Sequence, residues 1–136
     1  MTQSEPIRAL IADPDQSLLN YYREGLAPPG FAVVTVTNGL DCLDHLRHWV
    51  PDILVLENEL PWGGGPGVIA LMGEMPDMAR VPVVVLFSGQ SPAPQPRPSG
   101  VWACLSKPVG PAELACTLHA LLDGRRGSQD RRGIEP

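Results

Sequence analysis

Six polar side chains stand at the ends of short apolar runs in this chain. Asp13 and Asp15 follow Ile7–Ala12, Glu57 and Glu59 follow Asp52–Leu56, Ser88 follows Pro82–Phe87, and Lys107 follows Val101–Leu105. Acids from two strand ends and a lysine from a third could form ion pairs if they meet. Lys107 is the only lysine among the 136 residues. Taken singly, each of these residues is explained equally well as a polar, solvated stop on a buried strand. The chemistry therefore depends on whether the fold brings them to one place.

The runs themselves say how that would happen. Five β-branched or aliphatic segments (7–12, 31–36, 52–56, 82–87 and 101–105) alternate with segments of helical spacing. Leu18, Leu19, Tyr22 and Leu26 recur at helical intervals before Pro28-Pro29-Gly30. Asn38 is a good N-cap, with Asp41 three residues on, and Leu40, Leu43, Leu46 and Val50 are expected on one side before Pro51. Pro66 suits a first helical turn, Val68, Ile69, Met72 and Met75 give a stripe, and Pro76 closes it. A last helix is expected from near Pro111, through Leu114, Leu118, Leu121 and Leu122, to Gly124. Strand–helix alternation of this length predicts a doubly wound α/β domain, because parallel strands need long crossovers that pack back on the sheet. The near-continuous apolar strands fit burial on both faces. In such a sheet the six polar residues share the carboxyl edge, where ligands gather at the reversal of strand order. One interval breaks the rhythm: prolines at 92, 94, 96 and 98 forbid an ordinary helix between the fourth and fifth strands, so that crossover helix is expected to be lost or shortened in favour of an extended connection.

Length and composition fit one domain: residues 1–6 read as an N-terminal extension, 7–123 as the domain, and 124–136 as a disordered, arginine-containing tail. The apolar runs are far shorter than the roughly 20 residues of a spanning helix, and residues 1–8 carry no secretory pattern. Cys42, Cys104 and Cys116 form no C-x-x-C pair, which fits reduced thiols and a cytoplasmic location. The net charge is −5, and four arginines (125, 126, 131, 132) lie beyond Gly124, so the domain proper is more acidic still. A field of that sign repels phosphate backbones, and no nucleic-acid or membrane partner is expected for the folded part.

The blocks Ile-Arg-Ala-Leu-Ile-Ala-Asp (7–13), Pro-Asp-Ile-Leu-Val-Leu-Glu-Asn-Glu-Leu-Pro (51–61), Val-Pro-Val-Val-Val-Leu (81–86) and Leu-Ser-Lys-Pro (105–108) together resemble the receiver domain of two-component response regulators. The resemblance covers about residues 7–122 and implies a flavodoxin-like, five-stranded parallel sheet. It also implies self-catalysed phosphorylation of an aspartate after strand three, with Mg2+ held by that residue, an acidic pair after strand one and a main-chain carbonyl. A hydroxyl after strand four and a lysine after strand five would bind the phosphoryl oxygens.

Carried over position by position, Asp13 matches the first acid, but the second acid's place falls on Pro14, with Asp15 one residue beyond. The acceptor's place falls on Glu57, and Glu59 stands two residues past it. The hydroxyl's place falls on Phe87 by strict counting and on Ser88 if the strand end slips by one. Lys107 and Pro108 match fully, and the lysine's charge could pair with Glu57. The switch aromatic's place falls on Cys104, with Trp102 two residues earlier and, by strand alternation, on the same face. With acceptor, hydroxyl and switch aromatic all altered, the chain reads as a degenerate receiver, or pseudo-receiver. It would act by binding a signalling protein or a second copy of itself, with no enzymatic activity and no cofactor. The alternative that the resemblance implies is a phosphorylation-competent receiver with an atypical, Mg2+-dependent site at Asp13, Asp15 and Glu57.

Other patterns carry less. Gly63-Gly64-Gly65-Pro66-Gly67 lacks the Lys-[Ser/Thr] ending of a phosphate loop and reads as a flexible connection. His45 and His48 with Asp41 and Asp44 read as a solvated helix face rather than a metal site. A flavin binder of the same architecture would need a Ser/Thr-rich phosphate loop after strand one, which the sequence does not have.

Overall fold

The structure is a computed structural model, and it describes residues 5–88 and 99–130, with side chains as far as Gly124. Strands β1 (Ile7–Ala12), β2 (Phe31–Val36), β3 (Ile53–Glu57), β4 (Val83–Phe87) and β5 (Val101–Ser106) form one parallel sheet in the order β2-β1-β3-β4-β5. Helices α1 (Gln16–Leu26), α2 (Gly39–His48), α3 (Gly64–Gly73) and α4 (Pro111–Asp130) complete the described residues. This is the doubly wound, flavodoxin-like arrangement expected. The proline-rich connection between β4 and β5 lies, at 89–98, outside the described residues.

Alternation along the central strands divides the interior in two. Leu10, Ala12, Leu54, Leu56, Val83 and Val85 face one side, where Cys42, Leu43 and Leu46 of α2 and Val68 and Met72 of α3 pack. Ala9, Ile11, Ile53, Val55, Val84 and Leu86 face the other, against Leu19, Tyr22 and Leu26 of α1 and Leu114, Leu118 and Leu122 of α4. Every residue of β3 and β4 is buried, which is why those strands carry no outward polar residue until their ends.

Helix starts follow the capping chemistry. Asn38 accepts the Asp41 amide at 2.8 Å, as its type and spacing predict. Helix α3 opens through Trp62 and Gly63, both at positive φ (68° and 88°), two residues before the expected Pro66. Three expectations are corrected here. Leu40 and Val50 do not join the buried stripe of α2 and are exposed; the inward face belongs to Cys42, Leu43 and Leu46. Met75 lies beyond the end of α3 at Gly73 and is also exposed. The last helix continues past Gly124 to Asp130, since Gly124 does not take the left-handed conformation that would end it there; residues 131–136 lie outside the described residues.

Two glycines show how tightly α2 and α3 are set. A Cβ on Gly39 would come 2.3 Å from the main-chain oxygen of Trp62 and 3.1 Å from Cγ2 of Val68, whereas one on Gly67 would meet open space. Gly39→Ala is therefore expected to cost roughly 1–3 kcal/mol in denaturant unfolding. Gly67→Ala, in the same pair of helices, should be neutral or stabilise by up to about 1 kcal/mol.

Candidate functional site

The sheet order reverses between β1 and β3, since the chain moves outward from β1 to β2 and then returns to the opposite side of β1. Asp13 directly follows β1, Glu57 ends β3, Ser88 follows β4 and Lys107 follows β5, so the polar residues do meet at one carboxyl edge. Asp13 and Glu57 are the buried charged residues among those described, at 1% and 2% exposure.

Lys107 sits between them. Its Nζ lies 2.5 Å from Oδ2 of Asp13 and 2.5 Å from Oε1 of Glu57. The remaining oxygens are also occupied. Asp13 Oδ1 accepts the main-chain amide of Asp15 at 2.8 Å, and Glu57 Oε2 accepts that of Glu59 at 2.8 Å. The Ser88 hydroxyl donates to Glu57 Oε1 at 3.0 Å. Two buried carboxylates thus receive one ammonium, two amides and one hydroxyl, and no buried side-chain polar atom among the described residues lacks a partner.

The titration behaviour follows from these contacts. Burial would raise the Glu57 carboxyl, but hydrogen bonds from Lys107, the Glu59 amide and Ser88, with the lysine's charge, outweigh it and hold the group below its ordinary value. Burial would lower Lys107, but the hydrogen bonds and charges of Asp13 and Glu57 raise it above its ordinary value.

Several sequence-predicted residues take other roles. The Asp15 carboxylate points along its own chain, capping α1 by accepting from the Ser17 and Leu18 amides at 3.0 and 3.2 Å. It does not take the place of the second acid. Glu59 contributes its amide while its side chain is exposed. Phe87 is buried in the core, and Ser88 supplies the hydroxyl. The β4–β5 pairing passes from Val83↔Val101 to Val84↔Ala103, so Trp102 is the extra residue of an irregularity in β5. Cys104, paired with Val85, packs against the core on the α2–α3 side. Pro108, joined to Lys107 by a cis peptide, lines a cleft of about 470 Å³ with Leu18, Tyr21, Tyr22 and Val109.

One participant was not foreseen. The buried Tyr22 hydroxyl donates to the Val109 carbonyl at 2.8 Å, tying α1 to the segment just after Lys107-Pro108. Helical spacing marks Tyr22 as a core residue, but nothing local to position 22 announces a partner 87 residues away.

The donor set does not suit Mg2+. Pro14 offers no side-chain oxygen, Asp15 is spent on the helix cap, and Lys107 occupies one oxygen of each of Asp13 and Glu57. Among the described residues no group of three His, Cys, Asp or Glu is disposed to hold a metal ion. Helix-two histidines are exposed, and His48 Nδ1 lies 2.9 Å from the Asp44 carbonyl, as a solvated face requires.

Two stability measurements test this account. Lys107→Met strands two buried carboxylates and should cost about 3–5 kcal/mol at pH 7 in denaturant unfolding. With the lysine gone, burial is left to raise the Glu57 carboxyl, so that deficit should shrink as pH falls and Glu57 protonates. Glu57→Gln should flatten the acid limb. Because the folded carboxyl lies below its ordinary 4.5, its contribution is complete above that pH and disappears as pH falls through the folded value. The wild type should therefore lose stability below about pH 4.5 more steeply than the glutamine variant.

Comparison with known proteins agrees with this architecture. Residues 9–119 match the family model of the response regulator receiver domain. The chain is 34% identical to the transcriptional regulatory protein PrrA of Mycobacterium tuberculosis over 125 residues, covering 89% of this chain and 52% of PrrA. It is 23% identical to the polar-differentiation response regulator DivK of Brucella anthropi over 119 residues, 86% of this chain and 97% of DivK. Among solved structures, the chemotaxis response regulator CheY4 of Vibrio cholerae superposes with a TM-score of 0.77 at 20% identity, covering 85% of this chain and 98% of that one. The signal receiver domain of a putative Luxo repressor protein from Vibrio parahaemolyticus gives 0.79 at 18%, covering 96% and 99%. With the family match spanning most of its length and the fold that family implies, this chain belongs to the response regulator receiver domains.

Proposed function

We propose that this receiver domain works as a pseudo-receiver: a module that recognises a signalling protein or a second copy of itself without a cycle of aspartyl phosphorylation, and that resides in the cytoplasm. The observation that carries the reading is the state of Glu57. Its carboxylate stands at the acceptor position, and Lys107, Ser88 and the Glu59 amide already satisfy both of its oxygens. In-line attack on a phosphodonor needs a nucleophilic oxygen that is free and correctly placed, within a fraction of an ångström of a productive geometry. A longer side chain bound by three donors is a poor nucleophile at that place. Pro14 and the cap formed by Asp15 remove the acidic pair that would bring a cation to the phosphodonor.

No described helix is long and apolar enough to cross a membrane, and the acidic charge of the chain disfavours nucleic acid. Recognition by protein surface is the remaining function that such a domain supports.

The test is incubation with acetyl phosphate and Mg2+, followed by intact-mass analysis. The wild-type chain is expected to show no phosphoryl adduct. A stoichiometric adduct on the wild type, at Glu57 or elsewhere in the corner, would overturn the reading. Pro14→Asp combined with Glu57→Asp, which returns the acidic pair and the shorter acceptor, is expected to gain the adduct.

A further inference from the structure

Strand β2 is the outermost strand on the β1 side of the sheet, and its bonding is one-sided. The Ile7 amide donates to the Gly30 carbonyl at 2.9 Å and the Asp13 amide to the Val36 carbonyl at 3.1 Å, with the pairing between them unbroken from Ile7↔Phe31 to Ala12↔Val36. In a parallel ladder the residues that bond to a given neighbour recur at every second position. Ala32, Val34 and Val36 therefore turn their N–H and C=O groups to β1, and Phe31, Val33 and Thr35 turn theirs outward. Among the described residues nothing receives those outward groups.

This edge carries none of the devices that usually keep one strand from pairing with another. It reads Phe-Ala-Val-Val-Thr-Val, without proline or charge, and its register has no bulge. The opposite edge, β5, is interrupted at Trp102 by its irregular pairing. Beside the Thr35 end of β2 lies a cleft of about 440 Å³, lined by Thr35, Val36 and Thr37 with Asp41, Asp44 and His45, so the strand is approachable there.

We propose that the outer edge of β2 is a self-association surface, and that its occupant is β2 of a second copy, antiparallel across a two-fold axis at Val33, so that the two sheets become one. The argument for a second copy is the symmetry of what the edge offers. A hydrogen-bonded position of an antiparallel pair needs the N–H and the C=O of one residue both turned toward the mate, at alternate positions. Phe31, Val33 and Thr35 supply this, with Val33 at the centre. The two Val33 residues then exchange both bonds, and Phe31 of each chain exchanges both with Thr35 of the other. The faces agree as well, since Phe31 and Val33 lie on the α1–α4 side and Val34 and Val36 on the α2–α3 side in each copy. The two-fold sets Val33 beside Val33 and Ala32 beside Val34, small and β-branched pairs that suit adjacent strands. The proposal rests on the domain acting as a binding module and gives its self-association a place. A chain that stays monomeric removes that place and leaves the reading of Glu57, tested by mass analysis, as it stands.

Sedimentation equilibrium and amide hydrogen exchange on the full chain test it together. The wild type is expected to form dimers within the micromolar to millimolar range. Val33→Pro is the discriminating variant. The N–H it removes points outward, so no bond to β1 is lost and the fold is expected to persist, as it does for prolines with solvent-facing nitrogens on edge strands. Association should weaken by about tenfold or more. In the wild type, the Phe31, Val33 and Thr35 amides should gain protection as concentration rises through the dimerisation range, while those of Ala32 and Val34 are protected throughout. A wild type that stays monomeric at about 1 mM overturns the proposal. So does a dimer whose Val33 amide exchanges no more slowly than in the monomer, a result that holds whether or not the proline variant folds. A folded proline variant that associates like the wild type overturns it too.

Discussion

The structure turns on one ammonium group placed between two buried carboxylates. Removing Asp13 and Glu57 from water is costly, and the attraction of Lys107 offsets that cost only with close contacts and with the remaining lone pairs satisfied. Both conditions are met, at 2.5 Å on each side of the lysine and with main-chain amides two residues downstream of each acid. The three groups come from three strands, so their meeting also demands a definite register. Ala12 pairs with Leu56, Glu57 with Leu86, and Phe87 with Ser106. A slip of one residue in any of these pairings would exchange the two faces of a strand and carry its terminal polar group away from the corner. The ion pair and the two-sided apolar core are thus mutually dependent: the core sets the register, and the register makes the charges tolerable.

This dependence explains how much could be read from the chain. Strands buried on both faces announce themselves as uninterrupted apolar runs, and the polar residue that ends each run marks the carboxyl edge, so the sheet and the gathering of Asp13, Glu57, Ser88 and Lys107 were legible. Asn38 likewise declared its cap through residue type and the position of Asp41. What escaped was set by geometry that spacing does not encode. Asp15 is equally suited to a cation or to a helix N-terminus, and the nearby Ser17 and Leu18 amides claim it. The irregular pairing beside Trp102 depends on how β5 meets β4, and no single-strand alternation reveals it. Leu40 and Val50 have the spacing of a buried stripe, yet α2 turns its other residues inward, because Gly39 is the position where Trp62 and Val68 allow close approach.

Glu57 shows why side-chain length matters as much as charge in such a corner. A carboxylate one methylene further from the strand still accepts the amide two residues on, so its anchoring to the backbone survives. Its other oxygen is then within reach of both the Ser88 hydroxyl and the lysine, each from a different strand end. The side chain links β3 to the segments after β4 and β5 by its own atoms. Tyr22 adds a further tie, from α1 to the Val109 carbonyl just after the lysine. These contacts connect the carboxyl edge to the α1–α4 side of the domain without any bound group.

A switch requires two conformations and a ligand that binds one of them better. Where the oxygens and donors of a corner are already matched to each other, an incoming anion must displace an internal partner for every contact it makes, and its net gain is correspondingly small. On the proposed reading the domain therefore holds one conformation, and regulation passes to mass action: the amount of partner or of the chain itself decides how much complex forms.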